Sequence, residues 1–141
     1  MDLLARREHS CWELKTKLIN KGWHEQTAEQ VVTQLAAERL VSDHRFAENL
    51  VQARRQRGHG PVRIRKELSD KGVADDIIDK WLDPRDQDWL DHVRSVREKK
   101  FGKEEPGDFK ERARQARFLQ YRGYTFEQIQ RALNNNDLMD D

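Results

Sequence analysis

One cysteine, Cys11, and three prolines stand among 141 residues, and both scarcities carry information. A lone thiol cannot build an internal disulfide framework, which fits a reducing compartment. Three prolines, each beside an expected helix boundary, leave long stretches free to be helical. No apolar run approaches the roughly 18 residues that would span a bilayer, and no signal-peptide core is read in the first residues. Sustained alternation of β-branched and polar residues, the mark of a half-buried strand, is absent as well. Nor does charge of one sign dominate, since 27 basic residues face 26 acidic ones for a net charge of +1. The expectation is a cytoplasmic, all-α, monomeric protein with no membrane partner. Hydrophobic residues make up 35% and charged residues 38%, a mixture too polar for one thick core and suited to slender helical layers that each bury one stripe.

What the chain does contain is an internal repeat. Gly22, Gly72 and Gly123 lie 50 and 51 residues apart. Four residues before each comes a leucine, at Leu18, Leu68 and Leu119, and directly after each comes Trp23, Val73 or Tyr124. The register continues through Ala28, Val31 and Val32, then Ile78, Trp81 and Leu82, then Ile129, Ala132 and Leu133. Each glycine is placed to close a helix in the left-handed cap position, with the next residue packing back. Trp23 and Trp81 therefore read as core, while Trp12 and Trp89, near helix starts, fit either core or surface.

The repeat predicts three tandem three-helix units of helix-turn-helix-like form, in an elongated, curved body. They span residues 1–41, 42–84 and 85–135, with a disordered acidic tail at 136–141. The opening helix of the first unit, Asp2 to about His9, is expected to be short, frayed at its start or cut off from a leading segment. Capping boxes are expected at Ser10-Cys11-Trp12-Glu13, Thr27-Ala28-Glu29-Gln30 and Thr125-Phe126-Glu127-Gln128, where a hydroxyl and a carboxylate or amide satisfy reciprocal backbone donors.

The densest charge lies in Gln52 to Gly72, where seven basic residues face two acidic ones. Gly58-His59-Gly60-Pro61 breaks the helical pattern in its middle, two glycines relaxing the backbone and proline suiting a first helical position. On the second arm Ile64 and Leu68 share an inward stripe, leaving Arg63, Arg65 and Lys66 toward solvent. A solvated surface accounts for some of these cations, and the negative end of a helix dipole for one or two at Arg54, Arg55 and Arg57. Five across both arms exceed that need. A second basic series, Arg114, Arg117 and Arg122, runs through the last unit.

No catalytic constellation accompanies these charges. His9, His24, His44, His59 and His92 are scattered, and His9 with Cys11 alone gives no tetrahedral metal set. Cys11 has no adjacent base held by a third group. Neither GxxxxGK[ST] nor GxGxxG occurs. The reading is a non-enzyme without metal or cofactor.

The run Arg54, Arg57-Gly58-x-Gly60-Pro61-x-Arg63-Ile64-Arg65-x-Glu67-Leu68-x-x-Lys71-Gly72, with Arg117-Phe118-Leu119-x-Tyr121-Arg122-Gly123-Tyr124, resembles the RecX family of bacterial recombinase regulators. Leu40-Val41-Ser42-Asp43-x-Arg45-Phe46-Ala47 is similar to that family's joint between units. The resemblance covers essentially the whole chain. It implies a regulator that binds the RecA nucleoprotein filament along its groove and restrains recombination, ATP hydrolysis and co-protease activity in DNA repair and the SOS response. Arg54, Arg57, Arg63, Arg65 and Lys66 are then the expected central contacts, extended by Arg114, Arg117 and Arg122. The alternative is a nonspecific module that binds single- or double-stranded DNA directly, since cations spaced along a helix also meet phosphates. Steep loss of affinity with salt, needing no recombinase, would mark that alternative.

Overall fold

The computed structural model describes residues 7–134. Among them are eight helices and no strand: α1 Cys11–Asn20, α2 Glu25–Ala37, α3 Asp43–Gln56, α4 Pro61–Asp70, α5 Asp75–Trp81, α6 Asp88–Phe101, α7 Phe109–Arg122 and α8 Phe126–Leu133. Most of the opening helix expected at Asp2 to His9 lies outside the described residues, and Arg7 to His9 at its end are not helical. The acidic tail at 136–141 lies outside them too.

The glycine frame sets where helices stop. Gly22, Gly72 and Gly123 adopt φ of +102°, +78° and +101°, a region in which a Cβ is penalised. The next N–H then turns back to the carbonyl five residues earlier, Trp23 to Leu18 at 3.1 Å, Val73 to Leu68 at 3.1 Å and Tyr124 to Leu119 at 3.2 Å. Val73 and Tyr124 are buried by that turn. Trp23 is not, being 41% exposed. A Cβ on Gly22 would likewise meet nothing within 4 Å. Trp81, also expected in the core, is half-buried and donates from Nε1 to His44 Nδ1 at 3.2 Å.

Of the three expected capping boxes, the last forms in full. Thr125 Oγ1 accepts from Gln128 N–H, and Gln128 Oε1 accepts from Thr125 N–H. At α1 only half forms: Ser10 Oγ accepts from Glu13 N–H at 3.0 Å, while the Glu13 carboxylate turns to Arg7 and Lys71 instead. At α2 the box is absent, because the helix begins two residues before Thr27, with His24 as its N-cap and no side-chain cap bond.

Packing divides the chain into two compact units, one drawn from Met1–Gln52 and Arg65–Leu82, the other from Ala53–Ile64 and Asp83–Asp141. In the first, α1 packs on α2 through Leu14, Leu18, Ala28 and Val32, joined by Val41, with Cys11, Val31 and Leu35 against them. Burying each large side chain contributes about 1.5–3 kcal/mol, which is the main stabilisation available to so thin a layer.

This unit also carries a buried polar knot. Glu13 is buried, Arg7 donates to both its oxygens at 2.9 and 2.8 Å, and Lys71 Nζ lies at 3.2 Å. Burial alone would raise the Glu13 pKa, but hydrogen bonds from Arg7 and Lys71 outweigh it and hold the carboxyl down at about 2. His9, buried beside it, places Nδ1 3.0 Å from Arg7 O and Nε2 3.0 Å from Lys17 Nζ. The ring therefore donates from Nδ1 and accepts from the ammonium, which requires neutral imidazole. Burial first, and then the Lys17 charge, keep its pKa below the ordinary 6.5.

Both groups are depressed in the folded state, so both favour folding above their unfolded values and withdraw that support as pH falls. His9 acts from about 6.5 downward and Glu13 between 4.5 and about 2. Urea midpoints should fall on acidification through both windows in the wild type. In Glu13→Gln the lower window should flatten relative to the wild type; parallel curves would show that Glu13 does not couple protonation to folding.

In the second unit α6, α7 and α8 pack on one another around Trp89, Val93, Leu119, Tyr124, Ile129 and Leu133. One cation joins this core. Arg97 is buried, donating from Nε to Gln115 Oε1 at 2.9 Å and from Nη2 to Glu104 O. Gln115 Nε2 in turn donates to Glu111 Oε2 at 2.9 Å, so every buried partner is satisfied.

Candidate basic cleft at the Gly58 turn

Within the second unit the turn at Gly58-His59-Gly60-Pro61 closes on the end of α7. Gly60 N–H donates to Arg122 O at 2.8 Å and Val62 N–H to Gly123 O at 2.9 Å. Backbones this close exclude side chains between them. A Cβ on Gly60 would lie 2.5 Å from Gly123 C and O, and one on Gly123 would lie 2.3 Å from Arg63 Cβ.

The carbonyls that α3 leaves at its C-terminus find partners in the same turn and beyond it. Arg54 O accepts from His59 N–H at 3.0 Å, and Arg57 O accepts from Arg122 Nη1 at 3.0 Å. His92 Nε2 lies 2.6 Å from Arg55 O and must carry the proton there. Its Nδ1 then accepts from the Tyr124 hydroxyl at 3.0 Å, with Gly58 O a second acceptor at 3.2 Å. Burial, followed by the charges of Arg55 and Lys99, holds the His92 pKa below its ordinary value despite the carbonyl. Burial also pushes the Tyr124 hydroxyl up, so it stays a donor. Beneath this network Trp89 is 1% exposed, edge-on to His92 at 5.2 Å, and the Arg55 guanidinium sits 4.3 Å above its ring.

These contacts leave a cleft of about 420 Å³, lined in part by Arg55, Arg57, Ser95, Phe118, Lys99, Lys100 and Arg122. No carboxylate is among the described residues that line it. Lys100 and Arg122 lie 5.5 and 5.2 Å from the centroid of Phe118, whose ring also meets Phe101 edge-on at 5.3 Å. Five cations thus share one concavity in a chain whose net charge is +1.

The residues singled out by sequence divide sharply. Arg57 and Arg122 line the cleft. Arg54 is half-buried beside it in the chain, and Arg63 lies 5.6 Å from the Tyr121 ring. Arg65 and Lys66 belong to the first unit, where Arg65 pairs with Asp79 and Lys66 with Asp70 at 3.2 Å. Arg114 is held by Glu111 through two bonds of 2.8 Å, and Arg117 is exposed. Arg55, Lys99 and Lys100 were not singled out. Their signal in the sequence is positional, adjacent cations in the last turn of a helix ahead of a helix-ending glycine, Gly58 or Gly102. Among the described residues no group of three or more His, Cys, Asp or Glu side chains could hold a metal ion.

Comparison with known proteins gives a consistent picture. Sequence models of three RecX three-helix domains match in series, the first over residues 1–35, the second over 42–82 and the third over 86–133. The chain is 48% identical over 130 residues to the regulatory protein RecX of Halorhodospira halophila (strain DSM 244 / SL1), covering 92% of this chain and 81% of that one. It is 41% identical over 140 residues to the regulatory protein RecX of Pseudomonas entomophila (strain L48), covering 99% and 90%. In fold it is similar to the crystal structure of RecX from Lactobacillus salivarius, with a TM-score of 0.78 at 21% identity over 97% of this chain and 91% of that one.

Proposed function

The chain belongs to the RecX family of regulatory proteins, and from that premise we propose that it binds the RecA nucleoprotein filament and restrains its recombination, ATP hydrolysis and co-protease activity. It acts in the cytoplasm as a partner-binding protein and catalyses nothing itself. Among the described residues no helix is long and apolar enough to cross a membrane. Expected contacts are Arg54, Arg57, Arg63, Arg65 and Lys66, with Arg114, Arg117 and Arg122 beyond them.

The observation that carries the reading is the cleft. Two runs far apart in sequence, Arg57-Gly58-x-Gly60-Pro61 and Arg122-Gly123-Tyr124, interlock and present cations that no lining carboxylate balances. Such a surface attracts an acidic partner, raising association rate and making it salt-sensitive. Arg65, Lys66 and Arg114 already hold carboxylates, so they contribute less.

The test is RecA ATP hydrolysis on single-stranded DNA with wild type and with Arg57→Ala/Lys99→Ala/Lys100→Ala, after circular dichroism shows equal helix content. Wild type should suppress hydrolysis, and the triple variant should need roughly tenfold more protein, since three exposed charged contacts at about 0.5 kcal/mol each approach the roughly 1.4 kcal/mol that makes a factor of ten. If wild type leaves hydrolysis untouched yet binds bare DNA with a steep salt slope, the direct DNA-binding reading replaces this one.

A further inference from the structure

Three helix ends converge at the cleft: α3 supplies Arg55 and is followed by Arg57, α6 supplies Lys99 and Lys100 in its last turn, and α7 ends on Arg122. Cations at C-termini have a structural explanation in the helix dipole. Each end carries roughly half a negative charge, so three ends account for about 1.5 of the five cations. The remainder faces a concavity with no lining carboxylate.

We propose that this cleft is a binding site for a small anion carrying two or more phosphoryl groups, such as inorganic diphosphate or the diphosphate of a free nucleotide. Its volume of about 420 Å³ falls in the usual range of small-molecule sites, about 300–1,000 Å³. A single carboxylate would leave most of the cations unmatched, whereas a diphosphate brings several charges and many acceptor oxygens to guanidinium forks, ammonium groups and the Ser95 hydroxyl. A nucleic-acid strand needs, besides charge, an aromatic face on which to stack a base. Phe118, which lines the cleft, already holds Lys100 and Arg122 near its ring and meets the Phe101 edge, and Trp89 lies buried under Arg55, so a base stacking here would compete with the cleft's own cations. Compact charge is what the site is built to meet.

The site is the same cleft on which the RecA reading rests, and Arg57, Lys99, Lys100 and Arg122 serve both, so the two must be separable by experiment. Its test therefore uses the chain alone. Isothermal titration with sodium diphosphate at constant ionic strength should give saturable binding. Lys99→Gln/Lys100→Gln should weaken it at least tenfold, while Lys103→Gln/Lys110→Gln, an equal loss of charge outside the cleft, should not change it. Both doubles are first shown by circular dichroism to retain wild-type helix content. ADP bound as tightly as diphosphate would mean that the phosphoryl groups alone are read, and tighter ADP would make a free nucleotide the ligand; both support the site. Absence of saturable heat, or equal weakening in the two doubles, would overturn it. So would a short oligonucleotide that binds through Lys99 and Lys100 while diphosphate does not.

Discussion

Gly123→Ala is expected to destabilise the second unit by about 3–5 kcal/mol, while the same change at Gly22 costs about 1 kcal/mol. The two glycines are equivalent in the repeat and nearly identical in backbone, at φ +101° and +102°. Their surroundings differ. An added Cβ at Gly22 meets open space, so only the strain of a left-handed alanine remains. At Gly123 it would press 2.3 Å from Arg63 Cβ and 2.7 Å from Arg63 N. Neither atom is a flexible tip that can swing aside. Relief would require the turn to part from α7, breaking the bonds from Gly60 N–H to Arg122 O and from Val62 N–H to Gly123 O.

Gly72→Ala should fall between, at about 2–3 kcal/mol. Its Cβ would meet Trp12 Cβ at 2.5 Å and Cγ at 2.8 Å, and Trp12 Cβ moves only with α1, but no backbone atom is among the nearest three, whereas at Gly123 two are. Urea unfolding followed by circular dichroism gives the ranking. Against a typical total of about 5–15 kcal/mol the Gly123 change is large enough to populate unfolded chain at 37 °C. Equal costs at all three positions would mean that cap strain alone, and not the interlocked backbones, makes Gly123 necessary.

The same three glycines show what a sequence can reveal of this fold. A positive φ is a local demand, and glycine answers it visibly, so the stops of α1, α4 and α7 and the repeat itself could be read in advance. The all-α class followed from stripes such as Ile64 with Leu68, both fully buried. Close approach is not local. Nothing in the neighbourhood of Gly60 or Gly123 announces that a side chain on the first would strike the backbone of Gly123 and Tyr124, or that one on the second would strike Arg63. Polar burial hides for a similar reason. Arg97 with Gln115, and Glu13 with Arg7 and Lys71, look like ordinary surface charges until their partners arrive from elsewhere in the chain. Glu13 in particular was readable as a capping residue; the stronger claim of two cations draws its carboxylate away from the helix start. At the cleft, Arg57 and Arg122 stood out within basic runs. Lys99, Lys100 and Arg55 did not: paired cations in the last turn of a helix are an ordinary pattern, and that the ends of α3 and α6 share one concavity with Arg122 is visible only once the unit is packed.

Trp89→Ala is expected to cost about 3–5 kcal/mol and to loosen the cleft as well as the core. Trp89 is almost wholly buried, and its ring supports His92 on one edge, Tyr124 at 6.3 Å and the Arg55 guanidinium above. Removing it leaves a large cavity beneath a cation that had been held in place by the indole face. Trp89→Phe should be far milder, about 1–2 kcal/mol, because a ring remains and the lost Nε1 bond frees only Asp83 O, on an exposed residue that water can reach. A double-mutant cycle isolates the link to function. Arg55→Ala should destabilise the wild type by about 0.5–2 kcal/mol more than it destabilises Trp89→Ala, the coupling expected of a cation on a partly desolvated ring. A coupling of zero would mean that the indole does not hold Arg55. With coupling present, Trp89 positions one of the five charges, and its burial becomes part of how the cleft keeps cations gathered against their mutual repulsion.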